Sequence, residues 1–144
     1  MNILHVALAS LGGFLAYFVL GGLMFVALPS LKVEFQKYPN VYRDHDGQMS
    51  HMPVGMAAIL LSMVVLAVLY AMLAPGSGGL LAGLISGARF GALIGVFAVG
   101  SFVLHNYANL KIGLKLTAVS AIAYMVEWTA AGIAIGLIYR PLPH

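Results

Sequence analysis

Two charged residues stand inside apolar runs of the sequence, and their side chains are the ones best placed to do chemistry. Arg89 lies in the run from about 80 to 106, and Glu127 lies in the run from about 116 to 139. A charge inside a membrane span is costly and usually pairs or faces a cavity. We therefore predict a buried ion pair between Arg89 and Glu127. It would fix the register of two helices or, alternatively, form the polar centre of a proton or anion site.

A histidine near the end of the third run is a candidate cofactor ligand. His105 lies close to the helix face of Gly91, so the glycine would leave room for the flat ring of a haem or chlorin. A bis-histidine haem needs a second histidine at matching depth, and His5 is predicted at the opposite membrane side. The alternative is an interfacial histidine that hydrogen-bonds to water.

The polar segment 29–52 holds side chains that bind metals. These are Asp44, His45, Asp46 and His51. Carboxylate and imidazole groups suit Zn²⁺, and the nearby methionines would suit copper. The spacing fits no fixed motif such as HExxH, so a solvated loop is the alternative. The sequence also has no nucleophile elbow, phosphate loop or catalytic triad pattern, and this favours a non-enzymatic protein.

These residues must be positioned by helices, and the third run carries a regular glycine pattern. Glycine recurs at every fourth residue, at Gly79, Gly83, Gly87, Gly91 and Gly95, and a similar pair, Gly132 and Gly136, lies in the fourth run. Residues four apart share one helix face, so the pattern predicts close helix packing, within the chain or against another subunit. Arg89 is about 160° around the helix from Gly87 and Gly91. The arginine and the glycines should therefore face different neighbours, which makes the third run the expected central strut.

Composition places the chain among membrane proteins. Its hydrophobic fraction is 62% and its charged fraction is 8% in 144 residues. The apolar runs are each long enough to cross a bilayer, which takes about 20 residues. We predict an all-α polytopic membrane protein, with four transmembrane helices in one antiparallel bundle. The spans are expected at about 4–28, 53–74, 80–106 and 116–139, with the first retained rather than removed as a signal peptide.

The basic residues predict the orientation of the bundle. Five of them fall in the loops 29–52 and 107–115, namely Lys32, Lys37, Arg43, Lys111 and Lys115. Loops rich in Lys and Arg stay in the cytoplasm. We therefore expect both loops on the cytoplasmic side and both termini outside, in a bacterial cytoplasmic membrane.

Two short motifs stand out in the second half of the chain: Asn106-Tyr-Ala-Asn-Leu-Lys111 at the end of the third run and Trp128-Thr-Ala-Ala-Gly132 in the fourth. On these motifs the chain, from about residue 91 to residue 139, resembles small bacterial four-helix membrane proteins of unknown function. It implies a four-helix membrane fold and carries no activity with it. Glu127 and the loop histidines are outside the resembling motifs, so it gives them no role.

The sequence thus predicts a non-enzymatic membrane protein, a structural or accessory subunit of a larger complex or a homo-oligomer. Its partners would be the bilayer and other membrane subunits or further copies of itself, and not nucleic acid. One alternative is a small transporter or channel with Arg89 and Glu127 as its polar centre. Another is a pigment- or haem-binding subunit that uses His105.

Overall fold

The computed structural model describes residues 2–27, 29–73 and 79–139, and at residues 29 and 30 it describes the backbone alone. The helices are α1 (Ile3–Ala27), α2 (Pro29–Gln36), α3 (His45–Leu73), α4 (Leu80–Ala98), a π-helical segment (Val99–Leu104), α5 (His105–Asn109) and α6 (Leu114–Ile138). The described ranges contain no β-strand. This confirms the prediction of an all-α fold.

Four helical stretches in these ranges are long and apolar enough to cross a membrane: α1, α3, the continuous helix Leu80–Asn109, and α6. Many large apolar side chains on them are exposed, including Leu61 at 66% and Leu93 at 70%. An outward surface of this kind is typical of helices that contact lipid tails or other apolar helices.

The helices pack in the order α3, α1, α6, α4. The largest interface joins α4 to α6, the next joins α1 to α6, and α3 packs mainly on α1. A smaller link joins α3 to α4, where the Tyr70 and Ser86 hydroxyl oxygens are 2.6 Å apart. The expectation that the third run is the central strut is therefore wrong. The central helix is α6, which has the largest buried share of the four.

Helix α3 begins eight residues before the predicted start of the second span at 53. The Asp44 Oδ1 atom accepts a hydrogen bond from the Gly47 backbone N–H at 2.9 Å, which satisfies a free donor in the first turn. Pro53 lies inside the helix rather than at its first turn. The cap at Asp44 therefore adds about two polar turns to the apolar span.

The loop end of the molecule is held together by contacts that α2 and the two residues after it make with each other and with the start of α6. The Tyr38 hydroxyl accepts a hydrogen bond from the Gly113 N–H at 2.8 Å. The Glu34 carboxylate contacts the ammonium groups of Lys37 at 2.7 Å and Lys115 at 2.9 Å. The loops 29–52 and 107–115 therefore lie at the same end of the helices.

Candidate functional site

The glycine pattern places α4 directly against α6. Gly83 lies against Gly136, Gly87 against Gly132, and Gly91 against the backbone of Trp128 and Thr129. At Gly91 an added Cβ would stand 2.5 Å from the Trp128 carbonyl oxygen, closer than any side chain can approach. The close approach of the two helices therefore requires glycine.

Two members of the predicted packing face behave differently from the rest. Gly79 is exposed and has no atoms within 4 Å of a Cβ position, because it is the residue before α4 and not part of the helix. Its assignment to the packing face is wrong. Gly95 is buried, and it faces the Met125 side chain rather than a glycine.

The predicted ion pair between Arg89 and Glu127 is not formed. Among the described residues, the salt bridges are those of Glu34 with Lys37 and Lys115. The glycine face of α4 packs against α6. Arg89 is on the opposite face of α4 and therefore points away from α6. The two charges are separated by rotation about the helix axis, although their depths are similar.

Glu127 instead faces α1. Its side chain is 8% exposed, and its Oε1 atom would be 2.8 Å from a Cβ built on Gly21. Tyr17 lies one helical turn before Gly21 on α1, and Tyr124 lies one turn before Glu127 on α6, so both rings share these faces. The ring of Tyr17 also packs against Trp128, with the ring centroids 5.0 Å apart. Glu127 is thus a buried carboxylate among aromatic rings, with tyrosine rather than arginine beside it.

The indole nitrogen of Trp128 adds an unusual feature to this cluster. In the described part of the chain, the Trp128 Nε1–H is the buried side-chain polar group that has no hydrogen-bond partner. Buried N–H groups are nearly always paired, because leaving one unpaired costs about 1–3 kcal/mol. The cluster of Tyr17, Glu127 and Trp128 therefore holds both a buried acceptor and an unused donor.

Arg89 lies on an exposed apolar face of α4. The exposed residues around it at helical spacing are Ile85, Leu93 and Val96, which are 42%, 70% and 62% exposed. Arg89 makes no ion pair or side-chain hydrogen bond with the residues that the structure describes. We define the outer α4 face as Ile85, Arg89, Leu93 and Val96.

Comparison with protein families, curated proteins and solved structures gives no significant match. The function must therefore be argued from the contacts and charges of this chain.

His105 lies at the start of α5, directly after the π-helical segment, and its side chain is exposed. His5 contacts the ring of Tyr139, with ring centroids 6.3 Å apart, at the other end of the bundle. The two histidines therefore cannot ligate one haem within a single chain, as the sequence predicts.

The metal-binding candidates of the polar segment are used locally. Asp44 caps α3, and the His51 Nδ1 atom is 2.9 Å from the Gly47 carbonyl oxygen and 3.0 Å from the Ser50 hydroxyl. His45 and Asp46 are exposed in the first turn of α3. Over the described ranges, no three His, Asp or Glu side chains come together as a metal site would require.

A cleft beside the polar segment is not predicted by the sequence. Its volume is about 680 Å³, and residues from α1, α2, the following loop and the first turn of α3 line it. Its walls include Phe25, Lys32, Phe35, Tyr42, Arg43 and His45. The aromatic and basic residues were visible in the sequence. However, they come together only because α2 lies beside the end of α1, with Phe35 against Phe25, and no local pattern predicts that placement.

Proposed function

We propose that the chain is an integral membrane protein, an antiparallel four-helix bundle that acts as a non-enzymatic subunit of a larger membrane complex. The loops 29–52 and 107–115 would face the cytoplasm of a bacterial cell, with both termini outside, because those loops hold most of the Lys and Arg.

Arg89 on the outer α4 face carries this proposal. Arg89 is two residues from Gly91, which lies against Trp128 close to the middle of α6, so the arginine is deep within the bundle's length. An arginine facing lipid tails at this depth costs at least about 2.5 kcal/mol. A partner helix that supplies a carboxylate would remove that cost and would cover the apolar residues beside it.

The partner is expected to be a different protein rather than a second copy. The chain has four acidic residues. Of these, Glu34, Asp44 and Asp46 lie at the loop end, and Glu127 is buried against α1. A second copy therefore offers no exposed carboxylate at the depth of Arg89. We infer a membrane subunit with an Asp or Glu inside one of its own spans.

Photo-crosslinking in native membranes tests this proposal. A photoreactive amino acid at Leu93, on the outer α4 face, should give a defined protein adduct. The same group at Leu61, an equally exposed position on α3, is the matched control. The Leu93 adduct should be lost in Arg89→Leu and kept in Arg89→Lys. Equal adducts from both positions would contradict the proposal, as would an adduct of twice the chain mass or an adduct that survives Arg89→Leu.

The transporter alternative now depends on Glu127 without Arg89. The observation that favours it is the buried cluster of Tyr17, Glu127 and Trp128, which holds a carboxylate and an unpaired N–H. Its test is proton flux into liposomes that contain the purified chain. Flux that is lost in Glu127→Gln would support a transporter, and the absence of flux in the unaltered chain would reject it.

The pigment- or haem-binding alternative rests on His105. Because the side chain is exposed and His5 is at the far end, a second axial ligand would have to come from another subunit. Visible absorbance of the purified complex that disappears in His105→Ala would support this role.

A further inference from the structure

The cleft at the loop end combines an apolar side with a basic side. Phe25, near the end of α1, is 5.9 Å from Phe35 between ring centroids, and Phe35 is 4.9 Å from Tyr42. These three rings form a continuous aromatic wall where the apolar helix α1 gives way to the polar segment. A tyrosine such as Tyr42, with an apolar ring and a polar hydroxyl, is typical of the membrane–water boundary.

The charges in the cleft favour an anion. Lys32 and Arg43 line it, and in the described ranges neither forms an ion pair. The acidic residue in its wall is Asp44, whose Oδ1 atom already accepts the Gly47 N–H. Two further carboxylates lie at this end of the molecule: Glu34 is held by Lys37 and Lys115, and Asp46 is exposed in the first turn of α3, outside the cleft wall. Lys32 and Arg43 are therefore available to a ligand, beside a single carboxylate in the cleft wall, Asp44, that already accepts a hydrogen bond.

The arginine is suited to a phosphate in particular. A guanidinium group donates parallel N–H bonds that match the oxygens of a phosphate, and an ammonium group adds a point charge. Basic pockets at the cytoplasmic ends of membrane helices bind anionic headgroups in this way. The aromatic wall gives the remainder of an amphiphilic ligand an apolar surface to lie on.

We propose that this cleft binds the phosphate headgroup of an anionic phospholipid, through Arg43 and Lys32, with the glycerol and upper acyl chain against Phe25 and Phe35. The proposal rests on the membrane placement argued above. It is independent of the outer α4 face, because the cleft is formed by α1, α2 and the start of α3, whereas α4 is at the opposite end of the packing order α3, α1, α6, α4.

Native mass spectrometry of the full chain, released from nanodiscs, tests the proposal. The nanodiscs contain phosphatidylcholine with a minor fraction of phosphatidylglycerol. The unaltered chain should retain phosphatidylglycerol in preference to phosphatidylcholine. Arg43→Gln and Lys32→Gln should each weaken this retention about tenfold, which is the effect of losing one charged hydrogen bond.

Lys111→Gln is the matched control. It removes one exposed positive charge at the same end of the molecule, outside the cleft, and should retain the lipid. The unfolding midpoint of each variant in phosphatidylcholine alone shows whether it folds. Equal retention by Arg43→Gln and Lys111→Gln would overturn the proposal.

A second arm distinguishes a lipid from free phosphate. Inorganic phosphate is added to the protein in phosphatidylcholine nanodiscs, and its effect on the unfolding midpoint is compared with that of phosphatidylglycerol. Stabilisation by the lipid alone supports the proposal. Equal stabilisation by inorganic phosphate would overturn the assignment to a lipid. Neither arm involves Leu93 or Arg89, so failure here is distinct from failure of the crosslinking experiment.

Discussion

At the scale of single residues, the direction of a side chain around its helix axis determined its neighbours more than its depth along the bundle did. Arg89 and Glu127 have similar depths, and depth alone suggested that they meet. However, Gly87 and Gly91 face α6, so Arg89 has to face outward. The sequence predicted that the arginine and the glycines have different neighbours. The signal for which face meets the fourth span was the matching pair Gly132 and Gly136, which lies roughly 140–180° around that helix from Glu127.

Gly91 should be intolerant of even one added methyl group. In Gly91→Ala the new Cβ would meet the Trp128 carbonyl and the Thr129 Cα atom, at 2.5 and 2.8 Å, so α4 and α6 must move apart. We expect a loss of about 1–3 kcal/mol in the free energy of unfolding. The measurement is reversible unfolding in mixed micelles, followed by circular dichroism.

The control for this substitution is Gly22→Ala. Gly22 lies in α1 and has no atoms within 4 Å of a Cβ position, so the alanine should be neutral or should stabilise the helix. Equal losses in both variants would show that the close α4–α6 contact does not contribute to stability.

At the scale of helices, polar contacts at the loop end hold α2 against α6, and one of them depends on pH. Hydrogen bonds from Lys37 and Lys115 hold the pKa of the Glu34 carboxyl below its ordinary value of 4.5. Because the pKa is lower in the folded chain, this interaction stabilises the fold above pH 4.5 and is lost as pH falls through the folded-state pKa.

Glu34→Gln should therefore reduce the pH dependence of unfolding. At neutral pH its unfolding midpoint should be lower than that of the unaltered chain, and the two should converge in acid. Asp46→Asn is the control, because Asp46 is an exposed carboxylate without an ion pair among the described residues. Parallel midpoints for Glu34→Gln and the unaltered chain across this range would contradict the prediction.

The π-helical segment Val99–Leu104 behaves as an α-helix with one extra residue. Gly100, within it, has no atoms within 4 Å of a Cβ position. Deleting Gly100 should return the segment to α-helix, and the residues on either side should keep their present neighbours. We expect the unfolding midpoint to change little.

The control is deletion of Leu84, which lies in the regular part of α4. It should turn Gly83 out of line with Gly87 by about 100° and destabilise the α4–α6 contact. If the two deletions destabilise the chain equally, the π segment does not absorb a residue. Thermal unfolding in detergent measures both.

At the scale of the whole molecule, composition and run length predicted the apolar helices well. Four stretches came within a few residues of their expected positions, except at the start of α3, where Asp44 supplied a cap outside the apolar run. The packing order was not predictable, because four apolar helices with weak amphipathic patterns can pair in several ways. The cleft depends on that order and on the placement of α2 beside the end of α1.

The orientation of the bundle can be measured directly, because the sequence has no cysteine. Single cysteines introduced as Asn40→Cys and Lys111→Cys should share one membrane side, and Asn2→Cys should lie on the other. A membrane-impermeant maleimide is expected to label Asn2→Cys in intact cells and the other two only after lysis. Different labelling of Asn40→Cys and Lys111→Cys would contradict the prediction that two spans lie between these residues.

The central position of α6 has a consequence for biosynthesis. Helices α1, α3 and α4 are made before the helix that joins α1 to α4, since α6 follows them in the chain. Until α6 is made, the backbone of α4 at Gly83, Gly87 and Gly91 is not covered by α6, and α1 lacks its contact with Glu127. Assembly of the bundle should therefore be completed in one late step, when α6 enters between two helices already in place.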